Sequence, residues 1–156
     1  SELSGIEVQA SYAATDNLPL FATLGLLHTE ITATDETNSG LIGNEFPFAP
    51  AYSGNAGISY NHPSGFGGSF DLTFRGESEA LLPNNSGPDP DFGTGLKNES
   101  HVLANMRLYY ELGKFSVFLY GTNIFDADYL ANADALAGNV VMGDPRVVGA
   151  GFTYNL

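Results

Sequence analysis

Charged residues recur four positions apart twice in this chain, as Asp71 with Arg75 and as Arg107 with Glu111, and Tyr109 lies between the second pair. On a helix that spacing makes an ion pair. On a strand it puts both groups on one face some 13 Å apart, too far to touch, so each needs a partner on a neighbouring strand. Asp71, Arg75, Arg107 and Tyr109 are therefore candidates for a polar wall. Such a wall is either an interior lattice of cross-strand pairs or a set of contacts for a solute or a protein segment moving along it. Other chemistry is scarce. His28, His62 and His101 fall on separate segments near strand ends and read as surface histidines. G-x-S-x-G, H-E-x-x-H and P-loop patterns are absent, so no catalytic residue, cofactor or metal site is assigned. The run Asp89-Pro90-Asp91-Phe92-Gly93, with Glu99 beyond, offers carboxylates to a hard cation but lacks a third oxygen ligand at the needed spacing. It reads as a solvated acidic loop.

The elements that must carry these residues are strands. Tyr52, Gly54, Ala56, Ile58 and Tyr60 alternate with Ser53, Asn55, Gly57, Ser59 and Asn61. Phe70, Leu72 and Phe74 alternate with Ser69, Asp71, Thr73 and Arg75, and Val102 through Leu112 does the same. Ile6, Val8, Ala10 and Tyr12 open the chain with this pattern, and Val148, Ala150, Phe152, Tyr154 and Leu156 close it. Leu18 to Ile31 and Phe115 to Phe125 are apolar on both faces, though Leu20, Ala22, Leu24 and Leu26 still alternate with Thr23 and Gly25. Seven strands result, at 5–13, 18–31, 51–61, 67–77, 100–112, 115–125 and 145–156, with no convincing helix.

The gaps between them alternate strictly, short ones of 4, 5 and 2 residues with long ones of 19, 22 and 19. Soluble sandwiches keep most connections near 4 to 6 residues, whereas outer-membrane barrels pair tight periplasmic turns with long external loops. Charge sorts the same way. Of the 18 acidic residues, eleven fall in the long gaps against one base, Lys97, so these gaps hold −10 of the net −13. Five lysines and arginines cannot make a nucleic-acid face, and the lack of cysteine closes disulfide and thiolate-zinc chemistry. No run nears the roughly 18 to 20 apolar residues of a spanning helix, but barrel strands need only about 9 to 11 alternating residues. Tyr52 and Tyr60 stand eight steps apart on one face, roughly 20 Å along the normal at a tilt near 40°, close to an apolar band of about 25 Å with aromatic rims. The fold class is thus all-β, an antiparallel transmembrane barrel. A soluble, secreted sandwich or adhesin and a small self-contained pore stay open as alternatives. Seven strands leave two unpaired edges where a single-chain barrel has an even number, and the opening Ser1-Glu2-Leu3 carries no leader pattern, as in a mature product or an internal piece.

Several motifs sharpen this. Asn123-Ile124-Phe125-Asp126-Ala127-Asp128-Tyr129 resembles the N-[LI]-F-D-x-x-Y of the TonB-dependent outer-membrane receptors, near the outer end of the penultimate strand. Gly143-Asp144-Pro145-Arg146 is similar to the G-x-P-R that opens their final strand. Gly5-Ile6-Glu7, Pro47-Phe48-Ala49-Pro50 and the closing Tyr154-Asn155-Leu156 fit the same pattern, although the family usually ends in Phe. The resemblance implies that residues 1–156 are the C-terminal segment, roughly the last third, of a barrel of about 22 strands. It implies a bacterial outer-membrane location and uptake of a small-molecule solute such as a ferric siderophore. A plug domain outside this sequence would couple to an energising inner-membrane complex. Its further partners would be outer-membrane lipid, lipopolysaccharide and the barrel assembly machinery, the last reading Phe152, Tyr154 and Leu156. The physical roles are structural: Pro145, lacking an N–H, suits the approach to a strand, and Asn123 and Asp126 bond backbone where the chain leaves the ladder.

Overall fold

The computed structural model describes residues 1–82, 84, 96–134 and 139–155. Seven long strands form one antiparallel meander: β1 (Glu2–Thr15), β2 (Leu18–Glu30), β3 (Tyr52–Asn61), β4 (Phe66–Arg75), β7 (His101–Leu112), β8 (Phe115–Thr122) and β11 (Val147–Tyr154). Two small ladders lie in the long connections, β5 (Ser78–Glu79) with β6 (Lys97–Asn98) and β9 (Leu130–Asp134) with β10 (Asn139–Met142). A short 3-10 turn spans Glu36–Leu41, capped by Asp35, whose Oδ1 accepts from the Asn38 N–H at 3.0 Å. The seven main strands match the period-2 reading. The small ladders and the 3-10 turn are additions to it.

Register turns the alternation into two faces. One row runs Tyr12, Leu20, Ile58, Phe70, Met106, Gly121, Val148 across all seven strands. Another runs Ala10, Ala22, Ala56, Leu72, Ala104. The opposite face carries Gln9, Thr23, Asn55 and Thr73 in one row and Ser59, Ser69, Arg107, Tyr120 and Gly149 in another. A one-residue slip would swap the faces, so hydrophobic patterning pins the register.

Among the described residues no second layer covers the apolar face. Among the described residues only Ile31, Ala80 and Ala104 are buried hydrophobics, while Val148 and Phe152 are 72% and 75% exposed. A soluble monomer seldom shows a contiguous apolar patch beyond a few hundred Å², and this one crosses a whole sheet. No second sheet packs on it, so the sandwich reading fails. The surface is built to meet hydrocarbon.

The two strands that look apolar on both faces have a local explanation. On the polar face Phe21 lies over Gly57, Phe118 over Gly151 and Tyr120 over Gly149. A Cβ added at these glycines would sit 2.5, 2.5 and 2.6 Å from the facing ring. Each ring occupies the space its cross-strand glycine leaves, a pairing that covers exposed backbone and fixes register.

Short and long connections segregate to opposite ends. The tight turns include Gly65 at φ +92° and Gly113 at φ +62°, conformations that glycine adopts without penalty. The long connections are folded. Asn44 and Asn84, both fully buried, join the first two: the Asn84 N–H donates to Asn44 Oδ1 at 2.8 Å, and its side-chain amide donates to the Glu45 carbonyl at 3.0 Å. The Phe48 N–H donates to the Glu79 carbonyl at 2.8 Å.

The two faces should respond oppositely to charge. In the full-length protein in a bilayer, Leu72→Arg should cost about 2 to 4 kcal/mol of unfolding free energy, against under about 1 kcal/mol for Ser59→Arg on the polar face. Denaturant titration of the two variants measures this. Equal costs would contradict the assignment of faces.

Candidate functional site

At the loop end of β4, β7 and β8 the polar face closes with a clasp made from both motif segments. Asn123, just past β8, is buried and adopts φ +47°, a region asparagine tolerates better than most residues. Its backbone N–H donates to Asn105 Oδ1 at 3.2 Å, and its Nδ2 donates to the carbonyls of Ala127 and Asp144, both at 3.0 Å. Its Oδ1 accepts from the Ala127 N–H at 2.9 Å. Asp126, at φ +57°, accepts from the Arg146 N–H at 3.0 Å and faces that guanidinium at 3.3 Å. The Gly143 N–H donates to the Tyr129 carbonyl at 2.8 Å, and the Tyr129 ring presses on Gly143 where no side chain would fit. The same ring stacks on His101, ring centroids 4.3 Å apart. Residues 123–129 and 143–146 therefore hold each other and set the approach to β11. Asn123 dominates energetically, because it is buried with several bonds at stake, whereas the Asp126–Arg146 pair is half exposed and worth about 0 to 1 kcal/mol. Phe125 is exposed, and Pro145 precedes β11 without needing an N–H.

The four candidate wall residues do not come together. Asp71 Oδ2 accepts from Asn105 Nδ2 at 2.8 Å and so extends the clasp's amide chain inward. Arg75 donates to the Phe48 carbonyl at 2.9 Å. Arg107 lies over the Phe118 ring at 4.2 Å, a cation–π contact nearer the short-turn end, where the Tyr109 hydroxyl donates to Asn61 Oδ1. Among the described residues none of the four forms an ion pair. The expected cross-strand lattice is replaced by amides, carbonyls and aromatic rings, because register sets Asp71 opposite Asn105 and Arg75 opposite His101.

His101 corrects the reading of a plain surface histidine. Together with Arg75, Ser78, Asn98 and Tyr129 it lines a cavity of about 160 Å³ between the strand ends and the β5–β6 arm. The sequence alone does not single out Ser78 and Asn98, and it leaves His101 among the surface histidines. The readable signal was His101's place opposite Arg75 once β4 and β7 are aligned. The Asp89–Gly93 run and Leu156 lie outside the described residues, and the described residues include no group of three metal-ligating side chains.

The arm carries its own electrostatics. Lys97 Nζ sits 2.8 Å from Glu77 and 3.6 Å from Glu79, whose side chain is almost wholly buried. Burial pushes the Glu79 carboxyl above its ordinary value, against the pull of Lys97, and Glu45 and Glu77 add to the rise. The hydrogen bond that Lys97 Nζ donates to the Glu77 carboxylate raises Lys97 in turn.

Residues 1–124 match the family described as TonB dependent receptor-like, beta-barrel. The chain belongs to the TonB-dependent receptor family. Its members are outer-membrane transporters and receptors, and the apolar face is the lipid side of such a wall. The family match stops at residue 124, just inside the clasp, but the structural likeness covers nearly the whole chain. The siderophore receptor PiuA from Acinetobacter baumannii is 15% identical, with a TM-score of 0.75 over 97% of this chain and 21% of its own. The ferric yersiniabactin uptake receptor FyuA from Yersinia pestis is 14% identical, with a TM-score of 0.76 over 97% of this chain and 23% of its own. The ferric citrate transporter FecA is 24% identical, with a TM-score of 0.74 over 97% and 24%. The chain thus spans about a fifth to a quarter of the length of these TonB-dependent receptors. With short turns periplasmic and long loops external, the clasp and the cavity lie at the outer end of the barrel lumen.

Two outcomes follow. Asn123→Ala in the full-length receptor strips the clasp of its side-chain bonds and strands buried backbone groups, at about 2 to 4 kcal/mol. Limited proteolysis should then cut between residues 123 and 146 faster, whereas Asp126→Asn should change little. For Glu79, a carboxyl raised on folding adds stability that is full below its unfolded value near 4.5 and fades as pH rises through the folded one. Amide exchange at Ser78 and Lys97 should accelerate from pH 4 to pH 7 beyond its intrinsic rate, and Glu79→Gln should flatten that excess.

Proposed function

We propose that this chain is the C-terminal segment of a TonB-dependent receptor that imports a scarce solute such as a ferric siderophore, supplying barrel wall and three external loops. The observation that carries this reading is the single seven-stranded sheet, apolar outward and polar inward, whose long connections fold together over the outer end of the polar face. The solute is captured from outside at that end. A plug domain beyond these residues, engaged by the energising inner-membrane complex, then moves it inward. The similar structures are of a siderophore receptor, a ferric yersiniabactin uptake receptor and a ferric citrate transporter, which favours an iron-bearing solute. β1 and β11 each have one unpaired edge, which further strands of a larger barrel would close. Phe152 and Tyr154 face outward and are exposed, as an assembly signal ending at Leu156 requires. Outer-membrane lipid contacts this face, and divalent cations held by the acidic loops bridge to lipopolysaccharide.

Uptake tests the reading against a passive pore. Cells expressing the full-length receptor, given a panel of iron-labelled siderophores, should accumulate at least one of them, and an uncoupler of the inner-membrane gradient should abolish accumulation. Entry that persists at full rate under the uncoupler would mean a pore.

A further inference from the structure

The cavity beside the clasp has donors left over. An arginine carries five N–H donors. Arg75 commits one to the Phe48 carbonyl, and unlike Lys97 and Arg146 it has no carboxylate partner among the described residues. Ser78 and Asn98, paired across the β5–β6 arm, are 4% and 8% exposed and line the same cavity. Among the described residues the Ser78 hydroxyl and both polar atoms of the Asn98 amide have no hydrogen-bond partner. A buried polar group without a partner costs about 1 to 3 kcal/mol, so an occupant that offers acceptors to the Ser78 hydroxyl and the Asn98 amide N–H is favoured there. The walls are held in place: the Tyr129–His101 stack is fixed by the clasp, and Phe48, at φ +60°, is held through its N–H by Glu79 and through its carbonyl by Arg75.

Shape and chemistry narrow the occupant. A volume near 160 Å³ falls below the roughly 300 to 1,000 Å³ that enclose a whole ligand, so the cavity admits one arm of a larger molecule. A guanidinium fork matches a carboxylate with two parallel hydrogen bonds, and a hydroxyl and an amide N–H beside it add donors. Glu99 also lines the cavity, but it is exposed to solvent and faces His101 Nδ1 through its backbone carbonyl at 3.3 Å. We infer that the cavity bounded by Arg75, Ser78, Asn98 and His101 is a subsite for a carboxylate arm of the solute. This rests on the receptor reading above and deepens it. Arg75 takes the carboxylate through its fork, Asn98 and Ser78 donate from the arm side, and His101 with Tyr129 forms the floor.

The test uses the full-length receptor in detergent micelles with isotope-labelled histidine, the His101 signal being identified by its loss in His101→Gln. Malonate is the probe and malonamide, its neutral isostere, the control, at matched pH and ionic strength. Malonate should shift the His101 signal saturably and malonamide should not. Arg75→Gln should weaken malonate binding about tenfold or more. Asn98→Asp, which keeps the shape and adds a like charge, should do the same without touching the Phe48 tether. Equal shifts with malonamide, no saturable shift with malonate, or unchanged affinity in Asn98→Asp would overturn the subsite. The receptor reading is judged separately by energised uptake, so a receptor that imports without binding malonate refutes only this inference.

Discussion

Everything in this chain depends on one constraint: in hydrocarbon, every backbone N–H and C=O must be paired within the protein. A sheet meets it through its ladder: the seven main strands pair continuously from β1 to β11, and only the outer edges of those two strands stay open. With backbone demand met by neighbours, side chains divide between two solvents, and period 2 is the only pattern that serves both. The near-absence of buried hydrophobic side chains follows from this, since lipid takes the place of a core.

The lumenal side obeys different economics. There the wall keeps charge sparse and satisfies polar groups with neutral partners, as Asp71 does through Asn105 and Asn105 does through Asn123. Rings over glycines close the gaps, and Arg107 rests on one of those rings. Neutral amides tie parts together without the desolvation cost that a buried ion pair carries. The long connections carry ion pairs of their own: Lys97 with Glu77 and the buried Glu79, and Arg146 with Asp126.

The legible part of the fold was the part governed by local periodicity. Rows such as Leu20, Ala22, Leu24 and Leu26 against Thr23 and Gly25 announce a two-faced strand, and the alternating gaps announce the topology. Partners were not legible, because they depend on register, and register is a property of two strands at once. Asp71 was expected among charges and found an amide; His101 looked like a surface residue until β4 set Arg75 opposite it. The loops hid for a related reason. Asn44 and Asn84 lie forty positions apart, and neither carries a local pattern that reveals their shared burial. The motif holding Asn123 and Tyr129 was readable as a resemblance, but its grip on the segment from Gly143 to Arg146 exists only in the folded chain.

The two-faced wall is the claim on which the rest stands, and alternating accessibility along β8 measures it most directly. This chain has no cysteine, so single cysteines at positions 116 to 121, each carrying a nitroxide, report on one site apiece. In the full-length receptor reconstituted in bilayers, labels at Val117 and Leu119 should collide with dissolved oxygen and be shielded from a water-soluble nickel chelate. Labels at Ser116, Phe118 and Tyr120 should show the opposite preference, with a period of two. Chelate access at every position, or no alternation between them, would contradict the wall and the reading built on it.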